Sequence, residues 1–356
     1  MTEPSRLNSA LMAIDAACAG TQQSNGNRQR ATARGLLRGY EARYGKNHNW
    51  KTESIEQEFC QPIHNLGCQG KRITTSRTFQ VAGKKDVLAS LPDGTRWIVD
   101  HKTTSDDIEK PDATFWRQLT IEGQASLYLL SEHLAGDKVA GAMWDAIHKP
   151  GIRPKKLSKA DQKAITSEMG YFGYEVSEQT KQQVVTEAAE NAELYEYRLA
   201  HDCRDRPHHY FQRREVLRLD QELLEYAAEL WELATEIREC RQRDRHLRNS
   251  GACLLYGTPC VYLGICSGYD QPDSGNWRRR ENVHSELDTL DGDGRDVLTN
   301  SRLRCFQTCR RKHFYRYELG IERIDKQTPD ALYLGTIVHA GLAAWWSEPR
   351  KESHAA

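Results

Sequence analysis

Charge of one sign is the first thing this chain lacks. Its 356 residues hold 50 Lys and Arg against 50 Asp and Glu, so the formal net charge is zero. A globally basic footprint is excluded, and any nucleic-acid contact has to come from local patches. Long hydrophobic runs are also missing. Hydrophobic residues make up 38%, the mean hydropathy is −0.75, and no stretch approaches the ~20 apolar residues of a spanning helix. No membrane partner is expected. The opening MTEPSRLNSALMAIDAACAG has neither a basic n-region nor a continuous apolar h-region, which predicts no signal peptide and an intracellular, cytoplasmic protein. Internal repeats and coiled-coil heptads are absent. So is a Gly-x₄-Gly-Lys-[Ser/Thr] loop, which argues against an ATP-driven helicase. What is abundant is cysteine. There are ten, concentrated late in a chain whose thiols should stay reduced.

At this length a soft prior of about 150 residues per domain allows two or three domains, with core enough to need no disulfide or metal staple. Helical periodicity covers 7–17 and 27–44, the second carrying Arg30, Arg34 and Arg38 on one stripe. From residue 53 the texture turns to short β-favouring runs, SIEQEFCQPI, KRITTSRTFQ, KDVLASL and TRWIVDHKT, with LPDG between the last two reading as a hairpin turn. A helix is expected at 113–135, a strand at 138–147, and a basic loop at 149–170. A charged helix at 178–201 and a strand at 209–218 come next. Asp220 could cap a helix with Leu223, Ala227, Leu230, Ala234 and Ile237 on one face. A cysteine-rich loop (251–268), a polar linker (267–298) and two helices (299–346), with Thr299, Asn300 or Ser301 as candidate caps, complete the expected order.

The strongest chemical signal is GKKDVLASLPDGTRWIVDHK (83–102). Alternation along a strand puts Asp100 and Lys102 on one face, and the hairpin can bring Asp86 beside Asp100. Two close carboxylates suit a hard divalent cation such as Mg²⁺. A neighbouring Lys can position a water and stabilise charge on a phosphate. One turn apart on the following helix stand Gln124 and Tyr128. Each piece alone has a bland reading: a solvated strand face, a turn aspartate, the polar edge of a packed helix. The ordered set is what carries weight.

Those residues resemble the core motifs of the PD-(D/E)XK nucleases, and DHKTTS (100–105) is typical of the RecB-like exonuclease branch, which includes phage and CRISPR-adaptation exonucleases. The resemblance implies a restriction-endonuclease-like α/β fold, a mixed central sheet flanked by helices. It implies Mg²⁺ or Mn²⁺ held by Asp86, Asp100 and the backbone carbonyl of His101. Lys102 would act on the attacking water, and Gln124 and Tyr128 would orient the site and the DNA. Glu58 is a further candidate acid. DNA ends, single- or double-stranded, would be the substrate, and a helicase or recombination protein a partner. The cell would be bacterial, the gene its own or a phage's.

The same branch carries an upstream Cys-Pro-Arg-like helix and a Gly-x-x-x-His helix whose histidine binds metal. Nothing before Asp86 matches either. At the far end, SRLRCFQTCRRKHFYRY (301–317) resembles the first, with Arg310 where Pro is usual, and YLGTIVHAGLAAWW (333–346) resembles the second, with His339 as the metal ligand. The implied arrangement is a circular permutation, which is tolerated when old termini lie close and the new break falls in an exposed loop. A truncated, swapped second copy is the alternative. The division of the chain is then 1–148, a nuclease core; 149–250, a helical extension with one returning strand; 251–268, the cysteine loop; 269–298, a linker; and 299–356, helices that complete the core.

GACLLYGTPCVYLGIC places Cys253, Cys260 and Cys266 within one short loop. The resemblance nominates Cys309 as a fourth ligand, with Cys305 its rival, to a structural [4Fe–4S] cluster clamping the domain ends. Four thiolates also suit Zn²⁺, but the Cys-x₂-Cys knuckle common in zinc sites is lacking. Cys18, Cys60, Cys68, Cys203 and Cys240 are expected as packing or surface thiols. DGDGRD (291–296) starts like a calcium loop but has Arg295 where an oxygen ligand should stand, and reads as a turn. NWRRR (276–280), HHYFQRR (208–214) and CRRKHFYRY (309–317) mix basic and aromatic residues. Candidate DNA contacts are Arg310, Arg311 and Lys312, with Arg34 and Arg38. The reading that follows is a metal-dependent DNA exonuclease with an iron–sulfur clamp. Its rivals are a catalytically idle DNA-binding or assembly module of the same fold, and a zinc-stabilised interaction protein.

Overall fold

Leu91–Gly94 is the turn from which the sheet is built. The Leu91 N–H donates to the Thr95 carbonyl at 2.9 Å, and Gly94 adopts φ +84°, a left-handed angle open to glycine at no steric cost. The computed structural model describes residues 5–19, 25–46, 48–66, 73–167, 170–255, 257–288, 294–325 and 329–348. Cys68 and residues 291–293 of the DGDGRD turn lie outside them.

The chain opens with helices α1 (Ser5–Cys18) and α2 (Gly26–Tyr40), the latter running into a π-helical turn, and continues as strands β1 (Lys51–His64), β2 (Thr75–Ser90) and β3 (Arg96–Thr104). Helices α3 (Thr114–Thr120) and α4 (Gly123–Ala135) lead to β4 (Gly141–His148). Four helices, α5 (Lys159–Thr166), α6 (Glu178–Thr186), α7 (Ala192–Asp205) and the single turn α8 (Pro207–Tyr210), return the chain as β5 (Phe211–Val216), followed by the long α9 (Asp220–Gln242). The cysteine region folds as a small hairpin, β6 (Leu254–Leu255) with β7 (Thr258–Pro259), and α10 (Leu263–Ser267). Next come β8 (Trp277–Arg279), β9 (Asp296–Leu298), α11 (Asn300–Thr308), α12 (Arg310–His313), β10 (Ile321–Arg323) and α13 (Asp330–Ser347).

The central sheet runs β1-β2-β3-β4-β5, with β9 added beside β2. It is mixed: β3/β4 and β2/β9 are parallel, the other pairs antiparallel. The parallel β3/β4 pair needs a crossover, and α3 with α4 provides it. Alternation gives the sheet two apolar faces. Leu88, Ile98 and Trp144 pack with α4 and with the Leu223, Ala227, Leu230, Ala234 and Ile237 stripe of α9. On the other face Val87, Val99 and Ile147 pack with α1, α2, α7 and α13. A mixed central sheet with helices on both faces is the restriction-endonuclease-like architecture.

Several local expectations need correction. The 113–135 helix breaks at Ile121–Glu122, where β-branched Thr120 and Ile121 meet Gly123, all weak helix formers. The 178–201 helix is two, because the Asn191 side chain accepts the Leu194 N–H at 3.1 Å and starts a new helix. Part of the 149–170 loop is α5, begun by a reciprocal Ser158/Asp161 capping box. At α9 the cap residue is Leu219, whose N–H reaches the Glu222 carboxylate at 2.7 Å, and Asp220 lies in the first turn. At α11 the cap is Thr299. The expected linker supplies two strands, because Trp277, Val297 and Leu298 are apolar and buried.

Candidate active site

Past Val87↔Val99 the β2–β3 ladder ends, and the strands carry their acids into the gap. Asp86 Oδ2 accepts the His101 backbone N–H at 2.8 Å. Asp100, 1% exposed, takes Lys102 Nζ at 2.5 Å on Oδ2 and Gln124 Nε2 at 3.0 Å on Oδ1. Lys102 Nζ also donates to Gln124 Oε1 at 2.8 Å and sits 4.9 Å over the Trp144 ring. Gln124 Nε2 reaches the Tyr128 hydroxyl at 2.7 Å, and that hydroxyl donates to the Lys84 carbonyl at 2.7 Å. Asp100, Lys102, Gln124 and Tyr128 thus form one continuous network between β3 and α4, with Asp86 joined to it through the β3 backbone.

From the opposite side α13 brings His339, its Nδ1 3.6 Å from Asp86 Oδ2. Gly335, one turn earlier, makes this approach possible: a Cβ there would lie 3.1 Å from Thr103 Oγ1. Residues more than two hundred positions apart in sequence meet here.

Burial and the nearby Asp100 carboxylate push the Asp86 carboxyl up to about 7, against the opposing pull of His101 and Lys102. His339 is pushed down, chiefly by burial, while Asp100 and the His101 backbone favour its charged form. Burial and the two aspartates raise the Tyr128 phenol well above its ordinary value. A pair of carboxylates close enough to resist joint ionisation suits a divalent cation, which removes that repulsion. Mg²⁺ is commonly held by only one or two carboxylates plus water and substrate phosphate, and Asp86 with Asp100 meets that need. Among the described residues, no three of His, Cys, Asp or Glu stand close enough together to hold an ion unaided.

Glu58 accepts the Asp288 backbone N–H. The acid nearer the site is Glu56, which sequence reading passed over. It takes φ +50°, pairs with Lys84 at 2.8 Å, and its charge acts on both Tyr128 and His339. The only advance signal was its strand alternation with Glu58.

Of the five candidate DNA contacts, Arg34 and Arg38 are engaged in internal ion pairs. Arg34 and Arg38 each pair with Glu196 of α7 at 2.7 Å, and Arg34 also with Asp15 at 3.0 Å. This internal network holds α2 to α7, and Arg38 is buried. Arg310 bonds Glu236 at 2.6 Å and Arg311 Nε the His246 carbonyl at 2.8 Å, while Lys312 acts on the Cys305 thiol. In HHYFQRR, Arg213 is drawn into the interior beside Asp145, and Arg214 lies 4.1 Å over the Trp116 ring.

The nine described cysteines are free thiols. Burial raises Cys266, with Cys309 and Cys253 near enough to add to the rise, and Arg248 and Arg311 opposing it. Burial pushes Cys305 up to about 11, with Cys309 and Cys260 contributing and Lys312 and Arg316 opposing. Cys260 and Cys266 pack against the small core of Tyr262, Ile265, Trp277, Tyr315 and Ile321.

No helix among the described residues is long and apolar enough to cross a membrane. No curated protein and no solved structure matches the chain. Residues 297–356, the stretch that holds the end of β9, α11 and the His339 helix but not Asp86 or Asp100, match the model of the PD-(D/E)XK nuclease superfamily, and over that stretch the chain is similar to those nucleases.

Proposed function

We propose that the protein is a metal-dependent deoxyribonuclease, an exonuclease of the RecB-like kind, whose active site is Asp86, Asp100, Lys102, Gln124 and Tyr128 with His339 at its edge. The observation that carries this reading is the convergence of the Asp100–Lys102–Gln124–Tyr128 network with Asp86 and His339, from three separate stretches of chain, one of which matches nucleases independently.

A Mg²⁺ or Mn²⁺ ion held by Asp86 and Asp100, with the His101 carbonyl and His339 completing the set, would supply charge neutralisation at the scissile phosphate. The chain's own groups do the rest. Lys102 is held to Asp100 and Gln124 with its ammonium beside the carboxylates, the place from which it can orient a water and balance negative charge on the phosphate. Gln124 fixes both partners at once, accepting from Lys102 and donating to Asp100. Tyr128 anchors Gln124 to the Lys84 carbonyl and so to β2.

The chain order is read as a circular permutation. Its support is that the nuclease-like stretch closes the chain, yet β9 pairs with β2 and α13 packs on α1, α2 and the sheet. The cysteines are read as a [4Fe–4S] site of Cys253, Cys260, Cys266 and Cys309, with Zn²⁺ the alternative occupant; what favours it is that Cys253 and Cys309 act on Cys266, and Cys260 and Cys309 on Cys305. DNA recombination or repair, phage DNA processing and CRISPR adaptation are the settings that fit. Release of nucleotides from linear single- or double-stranded DNA with Mn²⁺ or Mg²⁺ tests the reading, and no release from either substrate would refute it.

A further inference from the structure

A row of three polar side chains crosses the sheet on the face away from Lys102. His101, Asp145 and Arg213 are paired directly across β3, β4 and β5, and directly paired residues project to the same side. Asp145 is fully buried. Its Oδ2 lies 3.2 Å from His101 Nδ1 and its Oδ1 3.2 Å from Arg213 Nε. The Tyr40 hydroxyl donates to the same Oδ2. Arg213 Nη2 and Trp346 Nε1 in turn donate to the Tyr40 hydroxyl, at 2.7 and 3.3 Å. The Arg213 guanidinium rests 3.9 Å over the Tyr44 ring.

An apolar row would fill this space with less desolvation, so what a polar row adds is a fixed geometry. The geometry it fixes is that of His101. This residue separates Asp100 from Lys102, and its backbone N–H holds Asp86 at 2.8 Å. Its ring stands 5.9 Å from the His339 ring, at 89°, and 6.1 Å from the Trp346 ring. His339 and Trp346 are two turns apart on α13. One imidazole therefore touches the helix that brings His339, while its own backbone holds Asp86.

We infer that Asp145 is a positioning residue. Through the His101 imidazole it fixes the β3 backbone against Asp86 and α13 against the sheet, so that Asp86 and Asp100 are held as one cation site with His339 at its edge. The inference rests on the metal-site reading above. Its scale is that of partners lying behind metal ligands, about 10–100-fold in metal affinity.

The test is Mn²⁺ binding to the full chain, read by electron paramagnetic resonance, for wild type, Asp145→Asn, His101→Leu and His101→Gln, each first checked for cooperative thermal unfolding. Glutamine keeps a side-chain N–H for Asp145; leucine does not. Asp145→Asn and His101→Leu should bind Mn²⁺ about 10–100-fold more weakly, and His101→Gln should recover most of that loss. Should Asp145→Asn fail to fold, the leucine–glutamine pair decides. Folded Asp145→Asn or His101→Leu protein that binds Mn²⁺ as tightly as wild type overturns the inference and leaves the metal site standing, as does a glutamine variant no better than leucine. Wild type that binds no Mn²⁺ overturns the metal site itself, and this inference with it.

Discussion

Replacing Asp86 with asparagine should stabilise the metal-free protein at alkaline pH, although the carboxylate it removes accepts a hydrogen bond. The Asp86 carboxyl is pushed from an ordinary 3.8 to about 7, by burial first and by Asp100 second. Between those values the unfolded chain has released the proton and the folded chain still holds it, so stability falls as pH rises. A shift of about 3 units corresponds to about 4 kcal/mol, present in full only above pH 7. Asparagine carries no charge, and its amide oxygen can keep the His101 N–H. The assay is chemical denaturation in chelator from pH 4 to 8.5. The stability difference between variant and wild type should grow by about 1.4 kcal/mol per pH unit up to 7, then level off. Mn²⁺ should narrow the gap. It binds the ionised pair, and at a hundredfold excess over its Kd adds about 2.7 kcal/mol to wild type, with little or no gain for the variant. Parallel pH profiles for the two proteins, or an equal gain from Mn²⁺, would refute the carboxylate-pair reasoning.

Four further outcomes are expected. His313 is buried beside Arg302 and Arg241 and held down to about 3, so the folded chain resists a proton that the unfolded chain takes up below 6.5. Stability should drop by roughly 1.4 kcal/mol per pH unit from 6.5 towards 3, and His313→Gln should flatten that slope in acid denaturation. Gly39→Ala should lower the melting temperature despite alanine's better helix propensity, because the new Cβ would lie 2.3 Å from the Cys203 Cβ across α2 and α7; overpacking costs about 1–3 kcal/mol. Trp345→Ala, at a fully buried position on α13, should cost about 3–5 kcal/mol in the same denaturation assay. Protein purified without oxygen should contain iron and be coloured, and Cys309→Ser should lose both; colourless protein with stoichiometric zinc would replace iron–sulfur with zinc.

The parts of the site that were legible in the sequence are those set by short-range geometry. Asp100 and Lys102 share a face because strands alternate, Gln124 and Tyr128 because helices repeat every 3.6 residues, and LPDG announced the hairpin that faces Asp86 towards Asp100. Arg34 and Arg38 show where that reasoning stops. A cationic stripe looks the same in sequence whether it faces solvent or Glu196, which lies 162 and 158 residues further on. The Asp145–Arg213 pair was hidden for the same reason, its partners being set by sheet register between distant strands. The parallel addition of β9 to β2 was hidden because three residues, Asp296–Leu298, carry no periodicity to read. His339 was found by resemblance alone, since no local pattern links it to Asp86.

Under the proposed function, Asp100 and its neighbours hydrolyse phosphodiester bonds with a divalent cation. The most direct measurement compares wild type with Asp100→Ala and Lys102→Ala on end-labelled linear DNA with Mn²⁺, each protein first shown to be folded. The wild type should release nucleotides, chelator should stop it, and both variants should fall by at least about two orders of magnitude, the scale of losing one electrostatic catalytic group. Equal release by wild type and Asp100→Ala would contradict it.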